Sequence, residues 1–148
     1  MGMECPCGVL VNAISRRNNV RFNGQMGTIK GDLTYMANVC VTTLTSSTLS
    51  LDFVDTETMG GVNSFTFVAN SITSVVCNRQ GQNCEVTVTG TGLVNNTTQF
   101  PFEAVFRDQV APANVDIVQS FVITGFFNQS GAAPVAQGSI VALGCEEA

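Results

Sequence analysis

Phe100-Pro101-Phe102-Glu103-Ala104-Val105-Phe106-Arg107 is the stretch that decides the fold. Apolar side chains stand at positions 100, 102, 104 and 106, with Pro, Glu, Val and Arg between them. A repeat of two sends alternate side chains to opposite faces of a pleated strand, so one face is made for a core and the other for water. Pro101 has no N–H to give to a ladder, which predicts a strand start or an edge position.

The same period extends outward in both directions. Leu49, Leu51 and Phe53 form one set and Phe65, Phe67 and Ala69 another. Further strands are expected over Leu33 to Thr42, Ile72 to Cys77, Cys84 to Val88, Ser120 to Phe127 and Gly138 to Leu143. Gly60-Gly61, Gly90-Thr91-Gly92, Asn95-Asn96 and Asn128 to Gly131 read as the turns between them. About eight short strands without an amphipathic helix predict an all-β domain, a single antiparallel β-sandwich of jelly-roll or immunoglobulin-like type. The Cys and Trp core of a true immunoglobulin domain is excluded, because the chain has no Trp. A chain of 148 residues is most simply one domain, long enough to close a core without depending on disulfides.

The N-terminal stretch divides off as a connector arm over residues 1–14, with the sandwich over 15–148. Val9, Leu10 and Val11 would let such an arm pair with a neighbour's sheet edge, where main-chain hydrogen bonds supply affinity. The alternative is that Val9 to Ile14 is the first strand of its own sheet. Charge is uneven along the chain. Residues 1–31 carry +3 and residues 32–148 carry −8, a distribution that opposes general nucleic-acid binding. The basic stretch of Arg16, Arg17, Arg21 and Lys30 would suit the acidic surface of another copy. No stretch is apolar for long enough to insert in a membrane, and the start of the chain lacks the pattern of a secretory signal.

Six cysteines are the chemistry of this chain. Cys77 and Cys84 flank a polar loop between two strands, and an intrachain bridge between them is expected. Cys5 and Cys7, separated by Pro6, point in opposite directions if extended, so they are suited to two different partners. Cys40 and Cys145, or one of them, in neighbouring subunits are the expected acceptors, which makes Cys5, Cys7, Cys40 and Cys145 candidates for intersubunit disulfides. A buried free thiol is the alternative for Cys40. A zinc site is disfavoured, since the spacings are Cys-x-Cys and Cys-x6-Cys and the chain has no histidine.

The absence of histidine also removes the commonest general base and the usual partner of a Ser or Cys nucleophile. No phosphate-binding glycine motif follows a strand. Asp52, Asp55 and Glu57 lie close together, but with Gly60 and Gly61 beyond them they read as a strand running out into a solvated turn rather than a calcium loop. No enzyme, cofactor or metal is therefore expected.

A cysteine-bearing N-terminal segment that leads into an all-β domain resembles the subunits of bacterial endospore appendages. That resemblance is one of layout over the whole chain. It implies a jelly-roll domain stacked into a helical or linear homopolymer, with connector cysteines bonded to preceding subunits. Cys5 and Cys7 match the connector cysteines in position and type, although here they form Cys-Pro-Cys where adjacent cysteines would be expected. It also implies an extracellular or spore-surface location reached without a classical signal. The expectation is thus a structural protein that self-assembles into a disulfide-cross-linked fibre through its arm. The alternative is a secreted β-sandwich binding or adhesion module, which one Tyr, Tyr35, and no Trp make a poor fit to carbohydrate stacking.

Overall fold

In a computed structural model the described residues are 5–80, 83–109, 115–129, 131–136 and 138–143. They form ten strands: β1 (Gly8–Phe22), β2 (Ile29–Cys40), β3 (Thr48–Asp55), β4 (Phe65–Gln80), β5 (Asn83–Val94), β6 (Thr98–Asp108), β7 (Val115–Ile123), β8 (Phe127–Gln129), β9 (Ala133–Ala136) and β10 (Ile140–Leu143). Each strand pairs antiparallel with the next from β1 to β8, and β8 pairs back onto β1 through Val20, Arg21 and Phe22. The sheet therefore closes into an eight-stranded antiparallel barrel. Two extra strands continue the path beyond β8, with β9 along β7 and β10 along the start of β1.

All-β antiparallel structure is as the alternation predicts, but one closed sheet replaces the two facing sheets of a sandwich. Period two fixes which side chains face inward and is silent on whether the sheet faces a second sheet or curls onto itself. Curling is assisted by four irregular places, one of them in the β6–β7 pairing between Val105 and Phe106. The β4 register slips between Ala69 and Ser71 and again between Ile72 and Ser74, opposite Gly90 and Gly92 of β5. A Cβ on Gly90 would lie 2.9 Å from Ile72 Cα, and one on Gly92 would lie 2.8 Å from Phe67 Cε1. These glycines are thus strand residues that let backbone and ring come close, not the turn that Gly90-Thr91-Gly92 predicts. The two strands expected on either side of Asn70 fuse into one long β4 for the same reason.

The third irregularity lies in β1, where the register gains a residue between Ser15 and Asn18 and Arg17 takes φ 58°. The Arg17 amide donates to Asp32 Oδ1 at 3.0 Å, and the Arg16 guanidinium lies 3.7 Å from the other oxygen. Part of the basic stretch is therefore engaged within its own barrel. Asn95 and Asn96 form a turn as predicted, both with positive φ, and the Thr97 amide donates to Val94 O at 3.0 Å. Such a turn follows the right-handed twist of its hairpin. A turn at Thr124 to Phe126 splits the strand expected over Ser120 to Phe127, and of the turn expected over Asn128 to Gly131 the first two residues belong to β8 while Gly131, with φ 89°, follows it.

Inward side chains fill the barrel. Phe22, Phe53, Phe65 and Phe127 cluster at one end, with ring centroids 5.1 to 6.2 Å apart, and Phe67, Phe102 and Phe121 pack with Tyr35 farther in. An eight-stranded barrel is just wide enough for such filling. Pro101 is exposed in β6, one residue beyond the last pair that β6 makes with β7, so its missing N–H breaks no rung there.

Candidate functional site

Alternation of strand direction brings the cysteines together. β1 and β5 begin, and β2 and β4 finish, at the same end of the barrel, which places Cys5, Cys7, Cys40, Cys77 and Cys84 around one rim. Cys5 is bonded to Cys40 and Cys7 to Cys77, both with Cα atoms 5.8 Å apart. Cys5 and Cys7 do go to two different partners, but both lie within the chain. The expected Cys77–Cys84 bridge is absent because the hairpin is shorter than the loop between them suggests. Arg79 stands opposite Cys84 and Val86 opposite Cys77, so the two sulfurs are two rungs out of step. Cys84 is itself disulfide-bonded, and among the described residues no cysteine is free, which removes the free-thiol alternative for Cys40. Cys145, an expected intersubunit acceptor, lies outside the described residues.

The two bridges do different things. Cys5–Cys40 joins the chain start to the neighbouring strand beside the Gly8–Cys40 pair. A Cβ on Gly8 would lie 2.7 Å from Cys5 Sγ, so the glycine after Cys-Pro-Cys makes room for this return. Cys7–Cys77 links β1 to β4, which are separated by β2 and β3 in the sheet, and therefore crosses the barrel mouth. Cys7 and Cys77 both pack against the core from that side. The Val41 amide, donating to Cys7 O at 2.9 Å, fastens the segment to a short 3-10 turn over Val41–Ser46.

The expected assembly arm is built into the barrel. Val9 and Val11 are buried inward, Leu10 faces outward, and all three pair with β2 on one side and β10 on the other. Residues 8–14 are thus the first strand of their own sheet, the alternative the sequence left open.

Three buried polar residues organise the loops, and sequence reading finds only one of them. Asp116, fully buried, accepts the amides of Gln109 (2.9 Å), Gly138 (2.8 Å) and Ile140 (3.1 Å) and so ties the turn before β10 to the end of β6. Gln129 donates to Val118 O at 2.8 Å and Gly131 O at 3.0 Å while accepting from the Tyr35 hydroxyl. Both occupy inward strand positions, and a polar residue out of phase with its alternating neighbours is the signal for them. Asp55, expected in a solvated turn, is buried. It accepts from the amides of Glu57 and Thr58 (2.9 Å each) and from Asn63 Nδ2 (3.0 Å). Burial works to raise its carboxyl pKa, but these hydrogen bonds outweigh it and hold the group down at about 2. Its oxygens are occupied by the loop itself, and among the described residues no three His, Cys, Asp or Glu converge as a metal site.

The fold and site define an all-β protein whose closed, filled barrel is stapled across one mouth by disulfides. Compared with known protein families, characterised proteins and solved structures, the chain matches none. No described helix is long and apolar enough to cross a membrane, and the disulfides suit an oxidising extracellular setting.

Proposed function

We propose that this chain is a non-catalytic structural subunit that self-assembles into an extracellular fibre or surface layer, of the kind the spore appendages exemplify. The observation that carries the reading is the Cys7–Cys77 bridge across the barrel mouth. A domain of this size with a filled core has no need of a long-range staple in order to fold, so the staple serves endurance outside the cell. A chain without histidine, wrapped round an interior of phenylalanines, offers neither the usual general base nor the ligand cavity of a wider barrel.

Strand complementation is no longer the favoured joint, since β1 has a hydrogen-bonded neighbour on each side. Copies would instead meet through their outer surfaces, each one locked by its own bridges. The binding-module reading loses its carbohydrate form, because Tyr35 and eight of the ten Phe are buried and Phe100 and Phe126 stack on each other half-buried.

Negative-stain electron microscopy, beside a denaturing gel with and without reductant, tests the proposal. Fibres or sheets whose chains run on the gel as monomers, faster unreduced than reduced, are expected. A ladder that collapses on reduction would support the fibre and place the cysteine bridges between copies. A monodisperse monomer would overturn the proposal in favour of a binding module.

A further inference from the structure

The end of the barrel opposite the Cys5–Cys40 and Cys7–Cys77 bridges carries the most exposed of the large apolar side chains among the described residues. Met26, in the β1–β2 connection, is 99% exposed, and Met59 and Val62, in the β3–β4 connection, are 93% and 72% exposed. Scattered outward Val or Leu residues on a barrel wall are ordinary, but three such side chains on two joined loops are a knob. Gln25 Nε2 donates to Asn63 Oδ1 at 3.3 Å and connects the loops.

The knob is held out by design of the loop beneath it. Asp55 anchors the amides of Glu57 and Thr58 and the side chain of Asn63, so the segment that presents Met59 and Val62 is fixed before any contact is made. Lys30 adds a tie from β2, its amide donating to Glu57 Oε1 at 3.0 Å. Ordering cost on association is thereby reduced. Flexible thioethers then fit an irregular receiving surface.

A receiving surface lies at the same end. A cleft of about 410 Å³ opens between the β1–β2 turn, at Asn23 and Gly24, and the β7–β8 turn, at Thr124, Gly125 and Phe126. Knob and cleft on one end of one molecule make that end self-complementary under a two-fold axis. Electrostatics favours the same partner. Among the described residues at this end, Arg16, Arg17, Arg21 and Lys30 stand against Asp32, Asp52, Asp55, Glu57 and Glu103, a balance of −1 where the whole chain carries −5. Like-charged copies meet with little repulsion at this nearly neutral end.

We propose that two copies of this chain join head to head at the ends opposite the Cys5–Cys40 and Cys7–Cys77 bridges, Met26, Met59 and Val62 of each entering the cleft of the other. The repeating unit of the assembly is then a pair with its disulfide-stapled ends facing outward. This rests on the self-association proposed above, and the two fail differently.

The test is peroxide footprinting of the full chain, read by mass spectrometry at each methionine, in dilute and in assembled samples. Met26 and Met59 should oxidise about tenfold more slowly once assembled, the anchors being desolvated, while outward Met36 on the barrel wall is unchanged. Met26→Asp with Met59→Asp should weaken self-association about tenfold or more by light scattering and melt within about 2 °C of the parent chain, both side chains being exposed. Association that leaves both methionines as reactive as in the monomer overturns the head-to-head contact alone. A chain that stays monomeric at every concentration overturns both proposals. Protection that appears only on anionic phospholipid vesicles overturns the self-contact in favour of a membrane surface.

Discussion

The Tyr35 hydroxyl donates to Gln129 Oε1 at 2.6 Å, joining β2 to the closing strand β8 inside the barrel. Gln129 passes the link on to β7 through Val118 O, so one buried amide holds the place where the sheet closes. Tyr35→Phe would strand that amide oxygen, at a cost of about 1–3 kcal/mol in denaturant unfolding. Gln129→Met should cost more, because it also loses the bonds to Val118 O and Gly131 O, and the double variant less than the two together, since each single change already breaks the shared bond. Additive losses would show that the two residues act separately.

Alkaline titration reads the same residue directly. Burial lifts the Tyr35 hydroxyl far above its ordinary value. An unfolded tyrosine ionises above about pH 10, so the stability due to the neutral buried ring is complete below that pH and declines above it. Because Tyr35 is the chain's one tyrosine, tyrosinate absorbance should rise together with loss of β circular dichroism. Tyrosinate formed while the barrel signal persists would refute its burial.

Acid should act through Asp55. Its carboxyl is held at about 2, below an unfolded value of about 4, so its stabilisation is present above pH 4 and is lost as pH falls toward 2. Asp55→Asn should melt several degrees lower at neutral pH and match the parent chain near pH 2. Limited proteolysis of the variant at neutral pH should begin between Thr56 and Ser64. An unchanged gap between the two chains at both pH values would mean that the charge is not what matters.

Disulfide mapping separates connectivity within the chain from connectivity between chains. Protein refolded from mixed light and heavy isotope-labelled chains should give only like-labelled pairs of the Cys5–Cys40 and Cys7–Cys77 peptides. Mixed pairs would show exchange between copies. Removing the Cys7–Cys77 bridge, which spans 70 residues, should cost about 4 kcal/mol in the chain-entropy picture, and removing Cys5–Cys40, which spans 35, slightly less.

Gly90→Val tests the source of curvature. The added side chain meets β4 backbone at Ile72, which cannot yield as a flexible side chain would. A loss of at least about 2 kcal/mol is expected, against a change within about 0.5 kcal/mol for Thr87→Val on the outward side of the same strand. Equal tolerance at both positions would remove the close approach as the reason for the glycine.

The amino-acid sequence by itself determined the element type and the inward face, because alternation of Phe100, Phe102, Ala104 and Phe106, or of Leu49, Leu51 and Phe53, is a local property with one physical meaning. It also determined Asn95-Asn96 as a turn, where two residues tolerant of positive φ stand together. What only the tertiary structure decided are properties of pairing. Whether Val20 meets Gln129, and so whether the sheet closes, depends on twist summed over all the strands between them. Whether Cys77 faces Cys84 depends on a register that two residues of turn can shift, and whether Cys7 reaches Cys77 depends on the barrel having brought its first and fourth strands to the same mouth. A cysteine's residue type announces that it can be bonded, but the choice of partner is a distance across the fold, and no spacing along the chain contains it.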